Sequence, residues 1–504
     1  MKKAGEIFEK YNLIFLLPVI GAFLFTRLFY AGEISYYLHT DELQEAYEAL
    51  CVARFGTDST GALPGLFFKG FENGHSALLI YAGALLMKLK PGLFSLKMFR
   101  MIPAAGGLFG LVFSYLCARE MTGKKRDGFI MAVLFTCLPL FFVSQRNFVE
   151  DFLALSILPA AFFFLIRGLN RSKFFDHLLS GLFFCAILFT CRKTLVFIPV
   201  FLVLTGLYLV LTKKTKTAFA ALLCLPAAAG FIVLAFVCAC PVNAGFGSIP
   251  ANLAHLKRIF WDDRHDFNVI TAFGTIYIFS VPVIITGGFV SLKKVFLSLK
   301  NRAFDTEVII WIFIVTGFVY CLLSEKADTS VSCPLFFAAL LLLEEGILFI
   351  GENVKFAFPV IVIAFFISLG VLSHYYFVNY NSQLNHSKDH ENGIIADRSV
   401  GEAVKVALRE HPGKGVTVYT GDFEGRNLLI ALYAGASPSE YRQFRDSDSF
   451  SFGNIIVNPA GETEADESRV YVIDQYEHPE LIDGFTSLGW GMMYLKEYTL
   501  FFRQ

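Results

Sequence analysis

What most limits the folds open to this chain is a series of apolar runs, most of them long enough to cross a lipid bilayer. A hydrocarbon core of about 30 Å asks for roughly 20 apolar residues in a helix. Such runs lie at 12–30, 101–118, 129–143, 148–166, 178–191, 194–211, 218–240, 269–289, 308–323, 333–350 and 356–372. Of the 504 residues, 55% are hydrophobic and 17% charged, against roughly 25% charged in soluble domains. The chain therefore reads as a polytopic α-helical membrane protein with about eleven transmembrane helices. Formal net charge is zero, so the overall balance points to no nucleic acid and no acidic partner.

Charge position then sets the topology. Lys2, Lys3 and Lys10 precede the first run, which no small-residue cleavage site follows, so it reads as a retained span with a cytoplasmic N-terminus. The segment 76–89, SALLIYAGALLMKL, is apolar but at 1.5 Å per residue reaches only about 21 Å. If it does not cross, the inner loops hold Arg119, Lys124, Lys125, Arg126, Arg167, Arg171, Lys173, Lys213, Lys214, Lys216, Lys293, Lys294, Lys300 and Arg302, while the short outer loops hold Arg146, Arg192, Lys193 and Lys326. Fourteen against four favours a re-entrant or interfacial segment under the positive-inside rule.

The outer face then receives the loop 31–99, the loop 241–268 and everything after about 373. The expected organisation is a transmembrane catalytic domain over 1–375, with interfacial helices in its outer loop 31–99, and a small C-terminal extracytoplasmic α/β domain over 376–504. The tail opens on a polar linker, NYNSQLNHSKDHENG. GVTVYT (415–420), RVYVID (469–474) and MMYLKEYTLFF (492–502) follow as strand-like runs, with NLLIALYAGA between the first two. Nine of the ten cysteines lie in or beside apolar runs, where a thiol behaves as a small apolar side chain. Cys238 and Cys240 have the spacing of a metal pair but no nearby partners, and carry no metal site.

The first outer loop carries the chemistry. From Asp41, the residues Leu43, Tyr47, Leu50 and Cys51, with Glu45, Glu48 and Arg54 elsewhere, predict an amphipathic helix lying in the interface. Thr40 is placed to cap it, and Asp41 and Glu42 fall in its first turn, where the helix dipole alone favours acidic residues. Further on, Lys69, Glu72 and His75 sit in the Gly- and Pro-broken aromatic stretch GALPGLFFKGFENGHSALLIY, and Arg100 opens the next span. An arginine there is often only an anchor that snorkels. Carboxylates and a cation supplied at one membrane face nevertheless suit group transfer from a lipid-linked anionic donor, which needs a base for the acceptor and a counter-charge for a phosphate leaving group.

Asp41-Glu42 after the first span, GTDSTGALPGLFF, GHSALLIY, FRMIPAAGG and PLFFVSQRNFVED together resemble the polyprenyl-phosphate-sugar-dependent membrane glycosyltransferases related to protein O-mannosyltransferases and lipid A aminoarabinose transferases. The likeness covers about the first 200 residues. It implies a type C glycosyltransferase fold with the active site on the outer face, Asp41 as catalytic base and Arg100 on the donor phosphate. Glu72 is followed by Asn73, Gly74 and His75 where lipid A relatives tend to carry a lysine and prolines, so acceptor identity does not carry over. The loop 241–268 is too short for the β-trefoil of eukaryotic O-mannosyltransferases, and WDD at 261–263 stands in the wrong place for an oligosaccharyltransferase motif.

The expected reaction takes a sugar from polyprenyl phosphate, attacked at its anomeric carbon by an acceptor hydroxyl with inversion. Asp41 and Glu42 are the candidate catalytic pair, able to exchange roles; Arg100, Lys69, Glu72, His75, Arg146 and Lys193 are candidate substrate-binding residues. No cofactor is required, because the leaving group is a phosphate monoester, although the loop carboxylates leave room for a divalent cation. The acceptor is a protein, a glycolipid or a cell-wall polymer. A transporter or flippase of lipid-linked saccharides is the rival reading. It calls for mid-membrane ionisable groups and internal repeats, and neither is prominent here; Glu344 and Glu345 lie near the inner end of a span.

Overall fold

A computed structural model of the chain describes residues 2–34, 38–71, 74–92, 94–191, 194, 196–212, 248–261, 273–301, 304–324, 331–354, 356–380, 395–396, 398–423, 425–459 and 465–503. These fall into two compact units: 1–31 with 100–379, and 32–99 with 380–504. The expected span 218–240, the Cys238–Cys240 pair, Glu72 and Lys193 lie outside the described residues.

The first unit is helical. Its elements are α1 (Lys2–Leu28), α4 (Leu96–Thr122, from Arg100 onward), α5 (Lys125–Cys137), α6 (Pro139–Ser144), α7 (Glu150–Arg171), α8 (Phe174–Leu188), α9 (Phe197–Leu211), α10 (Ile249–Trp261), α11 (Val281–Lys300), α12 (Thr306–Leu323), α13 (Cys333–Asn353) and α14 (Ala357–His374). Among the described residues, six helices have the length and apolarity to cross a membrane: 96–122, 153–171, 278–300, 306–323, 333–353 and 357–379. Four shorter apolar helices, 13–28, 77–89, 174–188 and 197–211, do not reach that length. The chain is a multi-pass membrane protein, and its described helices do not by themselves make up the expected eleven.

Two expected spans differ for a common reason. The run 129–143 is broken into α5 and α6 because Pro139 holds Leu138 in extended backbone, φ −68° and ψ 138°. In the run 269–289 the described residues 273–277 precede the helix, which spans 278–300 with Pro282 in the first turn of α11, where a missing N–H costs nothing.

Phenylalanine rings fill the middle of this unit. Phe162 on α7 meets Phe313 on α12 at 4.7 Å, Phe337 on α13 at 5.2 Å and Phe201 on α9 at 5.7 Å between centroids. Lys294 on α11 ties α12 and α13 through Glu307 (3.3 Å) and Glu345 (2.7 Å), and the Ser291 hydroxyl donates to Glu307 at 2.5 Å. α11 and α13 approach backbone to backbone. A Cβ on Gly287 would collide with the Leu342 carbonyl oxygen, and one on Gly346 with that of Val283, so glycine sets this distance as small residues do between membrane helices.

The second unit contains α2 (Thr40–Phe55), α3 (Ala77–Leu89), α15 (Ser399–Glu410), α16 (Arg426–Ala434), α17 (Pro438–Phe444) and α18 (Pro479–Ser487). Its main sheet has the order β6-β7-β5-β8-β10-β9, from strands β5 (Gly415–Tyr419), β6 (Phe450–Phe452), β7 (Ile455–Val457), β8 (Arg469–Asp474), β9 (Gly491–Leu495) and β10 (Tyr498–Phe502). β5 lies parallel to both β7 and β8, while β10 pairs antiparallel with β8 and β9. Tyr419, Tyr471, Ile473, Phe485, Trp490 and Phe501 form a core against one face.

The loop 32–99 is built into this same unit. β1 (Leu38–His39) pairs with β4 (Ile395–Ala396), the Arg398 guanidinium donates to the carbonyls of Gly32 and Glu33, and the Tyr47 hydroxyl reaches the carbonyls of Ala436 and Ser437 at 3.3 Å. The short helix α3, 13 residues long, packs on α2.

The Gly287–Gly346 approach is testable. In detergent-solubilised protein, Gly287→Val and Gly346→Val are expected to lower the thermal unfolding midpoint, by the equivalent of about 1–3 kcal/mol or more for overpacking. Gly288→Val, whose added Cβ would have nothing within 4 Å, should leave the midpoint near that of the parent.

Candidate active site

α2 begins where the sequence places it, but its cap and its surroundings differ from expectation. The cap is His39 rather than Thr40: His39 stands in extended backbone (φ −64°, ψ 144°), and its Nδ1 accepts the backbone N–H of Asp41 at 3.1 Å. Thr40 is already the first helical residue. Nor does α2 show the face pattern of an interfacial helix. Ten residues from Glu42 to Val52 are buried, among them Glu42, Glu45 and Glu48, each with no exposed surface. The physical reason is tertiary: Ser59 and His75 cover the charged side, and Tyr47 is covered by Tyr441, 4.9 Å away between centroids.

The adjacent carboxylates thus have different environments. The Asp41 side chain is 36% exposed, with Oδ2 at 3.5 Å from His39 Nδ1, whereas Glu42 is fully buried. Beyond them, the carboxylates at 45 and 48 continue the same side of the helix at a spacing of three. Glu45 Oε1 lies 3.5 Å from His75 Nδ1, and His75 Nε2 is 2.9 Å from Gln44 Oε1. His75 is held there by the short pairing of β3 (His75–Ser76) with β2 (Phe67–Phe68). Glu48 receives the Ser59 backbone N–H at 2.8 Å and the Ser59 hydroxyl at 2.5 Å.

Ser59 in turn belongs to a tight turn built by Asp58. The Asp58 Oδ1 accepts from the N–H groups of Thr60 (2.9 Å) and Ala62 (2.8 Å), and Gly61 takes a φ of +80°. Gly70 closes over this pair; a side chain there would occupy the space of Ser59 Oγ and Glu48 Oε1. Burial pushes the Glu48 carboxyl up to about 7, against the lowering effect of its two Ser59 hydrogen bonds. Burial likewise raises the neighbouring Tyr47 and Cys51. Lys69, between these features, is exposed. Among the described residues, no group of three or more His, Cys, Asp or Glu side chains is disposed to hold a metal ion.

In the helical unit, the predicted cations Arg100 and Arg146 are gathered at one place, the C-terminal end of α1. Arg146 donates to the carbonyl oxygens of Thr26 (2.6 Å), Phe29 (3.0 Å) and Tyr30 (3.5 Å), and lies over the rings of Phe377 and Tyr376 at 5.0 and 5.1 Å. Arg100 donates to the carbonyl of Ala31 at 3.5 Å. Carbonyls at a helix C-terminus carry the negative end of its dipole and attract cations.

A third arginine belongs with them and was not singled out from sequence. Arg27, in the last turn of α1, donates to Gln145 Oε1 (3.1 Å) and Thr26 Oγ1 (2.7 Å) and lies 4.7 Å from the Phe23 ring centroid. All three guanidinium groups have no exposed surface. Arg27 pairs with no carboxylate among the described residues, and its Nη2 has no hydrogen-bond partner among them. Burial pulls the Arg146 guanidinium down, and the nearby charge of Arg100 adds to the effect. The signal for Arg27 was present in FTRLFY: a lone ionisable residue inside an apolar run marks function more often than chance.

Residues 75–242 match the family described as dolichyl-phosphate-mannose-protein mannosyltransferase. The chain is also similar to ArnT from Cupriavidus metallidurans. With the structure bound to undecaprenyl phosphate, identity is 11% and the TM-score 0.50, over 98% of each chain. With the apo structure, identity is 11% and the TM-score 0.52, over 98% of this chain and 97% of that one. The archaeal oligosaccharyltransferase AglB from Archaeoglobus fulgidus, solved with an inhibitory peptide and a dolichol-phosphate, is similar at 12% identity and a TM-score of 0.51, over 95% of this chain and 71% of that one. No curated protein sequence matches it. The resemblance seen in the short motifs is thus found again, in a segment that matches the mannosyltransferase family and in a fold shared with ArnT and AglB.

The buried Glu48 gives a pH-dependent stability with a definite sign. Its folded-state affinity for a proton exceeds the ordinary carboxyl value of 4.5. The contribution is therefore complete below about pH 4.5 and is lost as pH rises through about 7. At one unit per about 1.4 kcal/mol the loss reaches about 3 kcal/mol. Hydrogen exchange across 40–55 in the full chain should quicken between pH 5 and 7 beyond its intrinsic rate change. Glu48→Gln should remove that excess; an unchanged excess would rule out Glu48 as its source.

Proposed function

We propose that this protein is an inverting glycosyltransferase that moves a sugar from a polyprenyl-phosphate donor to an acceptor hydroxyl on the outer face of the membrane. The observation that carries this reading is the set of three buried guanidinium groups around the C-terminal end of α1. Among the described residues Arg27 meets no carboxylate and its Nη2 has no hydrogen-bond partner, and a buried charge needs compensation. A phosphate monoester dianion supplies it, and arginine's planar fork suits phosphate oxygens. ArnT and AglB were solved with undecaprenyl phosphate and dolichol-phosphate, which supports a ligand of this class here.

In this reading Arg27, Arg100 and Arg146 hold the donor phosphate and neutralise the charge that develops on it as the glycosidic C–O bond breaks. Asp41 accepts the proton of the attacking hydroxyl, because its carboxylate is open to solvent, while Glu42 is enclosed and serves to place the first turn of α2. The acceptor oxygen forms its bond to the anomeric carbon from the face opposite the phosphate, so the configuration inverts. Lys69, exposed beside the Glu48–Ser59–Gly70 closure, is placed to meet the acceptor, and His75 acts as support for α2 through Glu45 and Gln44. Glu72 and Lys193 stay as candidates for substrate contact. No cofactor is assigned. The N-terminus is cytoplasmic and residues 376–504 are extracytoplasmic in this reading, the orientation that the loop charges favour.

The test is transfer by the purified full-length protein from a panel of radiolabelled polyprenyl-phosphate hexoses and pentoses to membranes prepared from cells lacking it. Asp41→Asn should lower the transfer rate by about 10²–10⁴, the usual yield of a general base. Arg27→Gln should lower it by about 10²–10³, as loss of one charge-stabilising donor does. The new linkage should have the opposite anomeric configuration to the donor. An Asp41→Asn protein with parental activity would sink the base assignment, and no transfer from any donor would sink the function.

A further inference from the structure

The turn that delivers Arg146 also carries two buried carboxamides, and we propose that it divides the donor between them: Gln145 meets the phosphate, while Asn147 hydrogen-bonds a hydroxyl of the sugar and so selects which sugar is transferred. This rests on the glycosyl-transfer reading above.

Gln145, Arg146 and Asn147 follow α6 directly, each 1% exposed or less. The backbone of the turn is tied down: the Arg146 N–H donates to the Val143 carbonyl and the Val149 N–H to that of Asn147, both at 3.0 Å. The side chains are not spent in the same way. Arg27 Nε donates to Gln145 Oε1 at 3.1 Å, and because a guanidinium holds only donors, the oxygen of this amide must face it. Gln145 Nε2 is left without a partner among the described residues, as is Arg27 Nη2. Two groups bonded to each other thus keep one nitrogen each, and both kept nitrogens are donors. A phosphate oxygen, which only accepts, is their complement.

Asn147 differs in kind. Neither its Oδ1 nor its Nδ2 has a partner among the described residues. An asparagine just ahead of a helix commonly caps it, but α7 has Val149 as its cap and no side chain bonds there. A buried carboxamide left wholly unbonded costs free energy that a leucine of similar size would not, so the position calls for a ligand. Phosphate oxygens would satisfy only the Nδ2 end. A hydroxyl can donate to Oδ1 or accept from Nδ2, and two neighbouring hydroxyls take both.

In a polyprenyl-phosphate sugar, such hydroxyls stand on the ring joined to the phosphate, and Asn147 is the residue next to a phosphate-holding arginine. Selection follows from the same chemistry. A site built to bond a hydroxyl rejects a sugar that lacks it, because buried polar groups are then left unpaired.

The experiment uses the purified full-length protein, the donor that the parent accepts from the panel above, and analogues of that donor each lacking one ring hydroxyl. In the parent, loss of the contacted hydroxyl should lower kcat/KM by about 10- to 100-fold. Asn147→Leu should lower it by a similar factor with the intact donor, and loss of the same hydroxyl should then cost less than about 3-fold, since both changes remove one interaction. Asn147→Ala repeats the comparison should the leucine variant not fold. Binding of sugar-free polyprenyl phosphate, titrated by the rise in thermal unfolding midpoint, should be parental in Asn147→Leu. It should be weakened at least about 10-fold in Gln145→Glu, which keeps an oxygen for Arg27 but turns the donor end into an acceptor.

If each missing hydroxyl costs the Asn147 variants what it costs the parent, the sugar contact is overturned and the glycosyltransferase stands. Weakened polyprenyl-phosphate binding in Asn147→Leu, or parental binding in Gln145→Glu, would overturn the division of the donor. A parent that transfers from no donor overturns the selection along with the reading it rests on.

Discussion

Three guanidinium ions buried against the carbonyl end of one helix are an arrangement that must be satisfied before anything else in the helical unit can settle. Each donates to carbonyl or amide oxygens of neighbouring segments, so the end of α1, the turn 145–149 and the start of α4 are fixed together. Gln145 is wedged against Gly107, where no side chain could fit. The break at Leu138–Pro139 belongs to the same arrangement, because it lets the chain leave α5 and return with Gln145 and Arg146 after only six residues of α6. What looks in the sequence like an interrupted span is the device that delivers two of the polar groups.

In the other unit the controlling fact is that α2 is enclosed. A helix with Glu42, Glu45 and Glu48 buried along one side would be a poor element by itself, since like charges at that spacing repel. It is made tenable by His75 and Gln44 at one level, by the Ser59 turn at another, and by uptake of a proton at Glu48. Asp41 stands at the one end of this row that is open to solvent. In the reaction proposed above, this contrast assigns proton exchange with a substrate to the open first carboxylate and leaves the closed later ones to hold the scaffold.

Much of this was legible in the residues. Hydropathy locates the helices 96–122, 306–323, 333–353 and 357–379, and period-two patterns in 415–420 and 469–474 correspond to strands. The position of Asp41 in a first turn was legible too, since it needs only local rules. Non-local facts were not. No window of sequence shows that Ile395 will pair with His39, or that Tyr441 will cover Tyr47, and so α2 looked like a helix for the lipid interface. Thr40 looked like the cap because threonine commonly caps, but the β1 strand brings the His39 ring nitrogen to the first free N–H instead. Arg27 was not singled out because its partners, Gln145 above all, are 118 residues away.

The sharing of one compact unit by 32–99 and 380–504 also orders events during synthesis. The first loop leaves the ribosome with an unpaired strand and a helix whose packing surface is still unmade, and β4, its partner, follows only about 350 residues later. At synthesis rates of about 5–20 residues per second, that interval is roughly 18–70 seconds, in which the segment bearing Asp41 has to stay unassembled at the membrane without pairing elsewhere. Completion of the chain is therefore what assembles the loop.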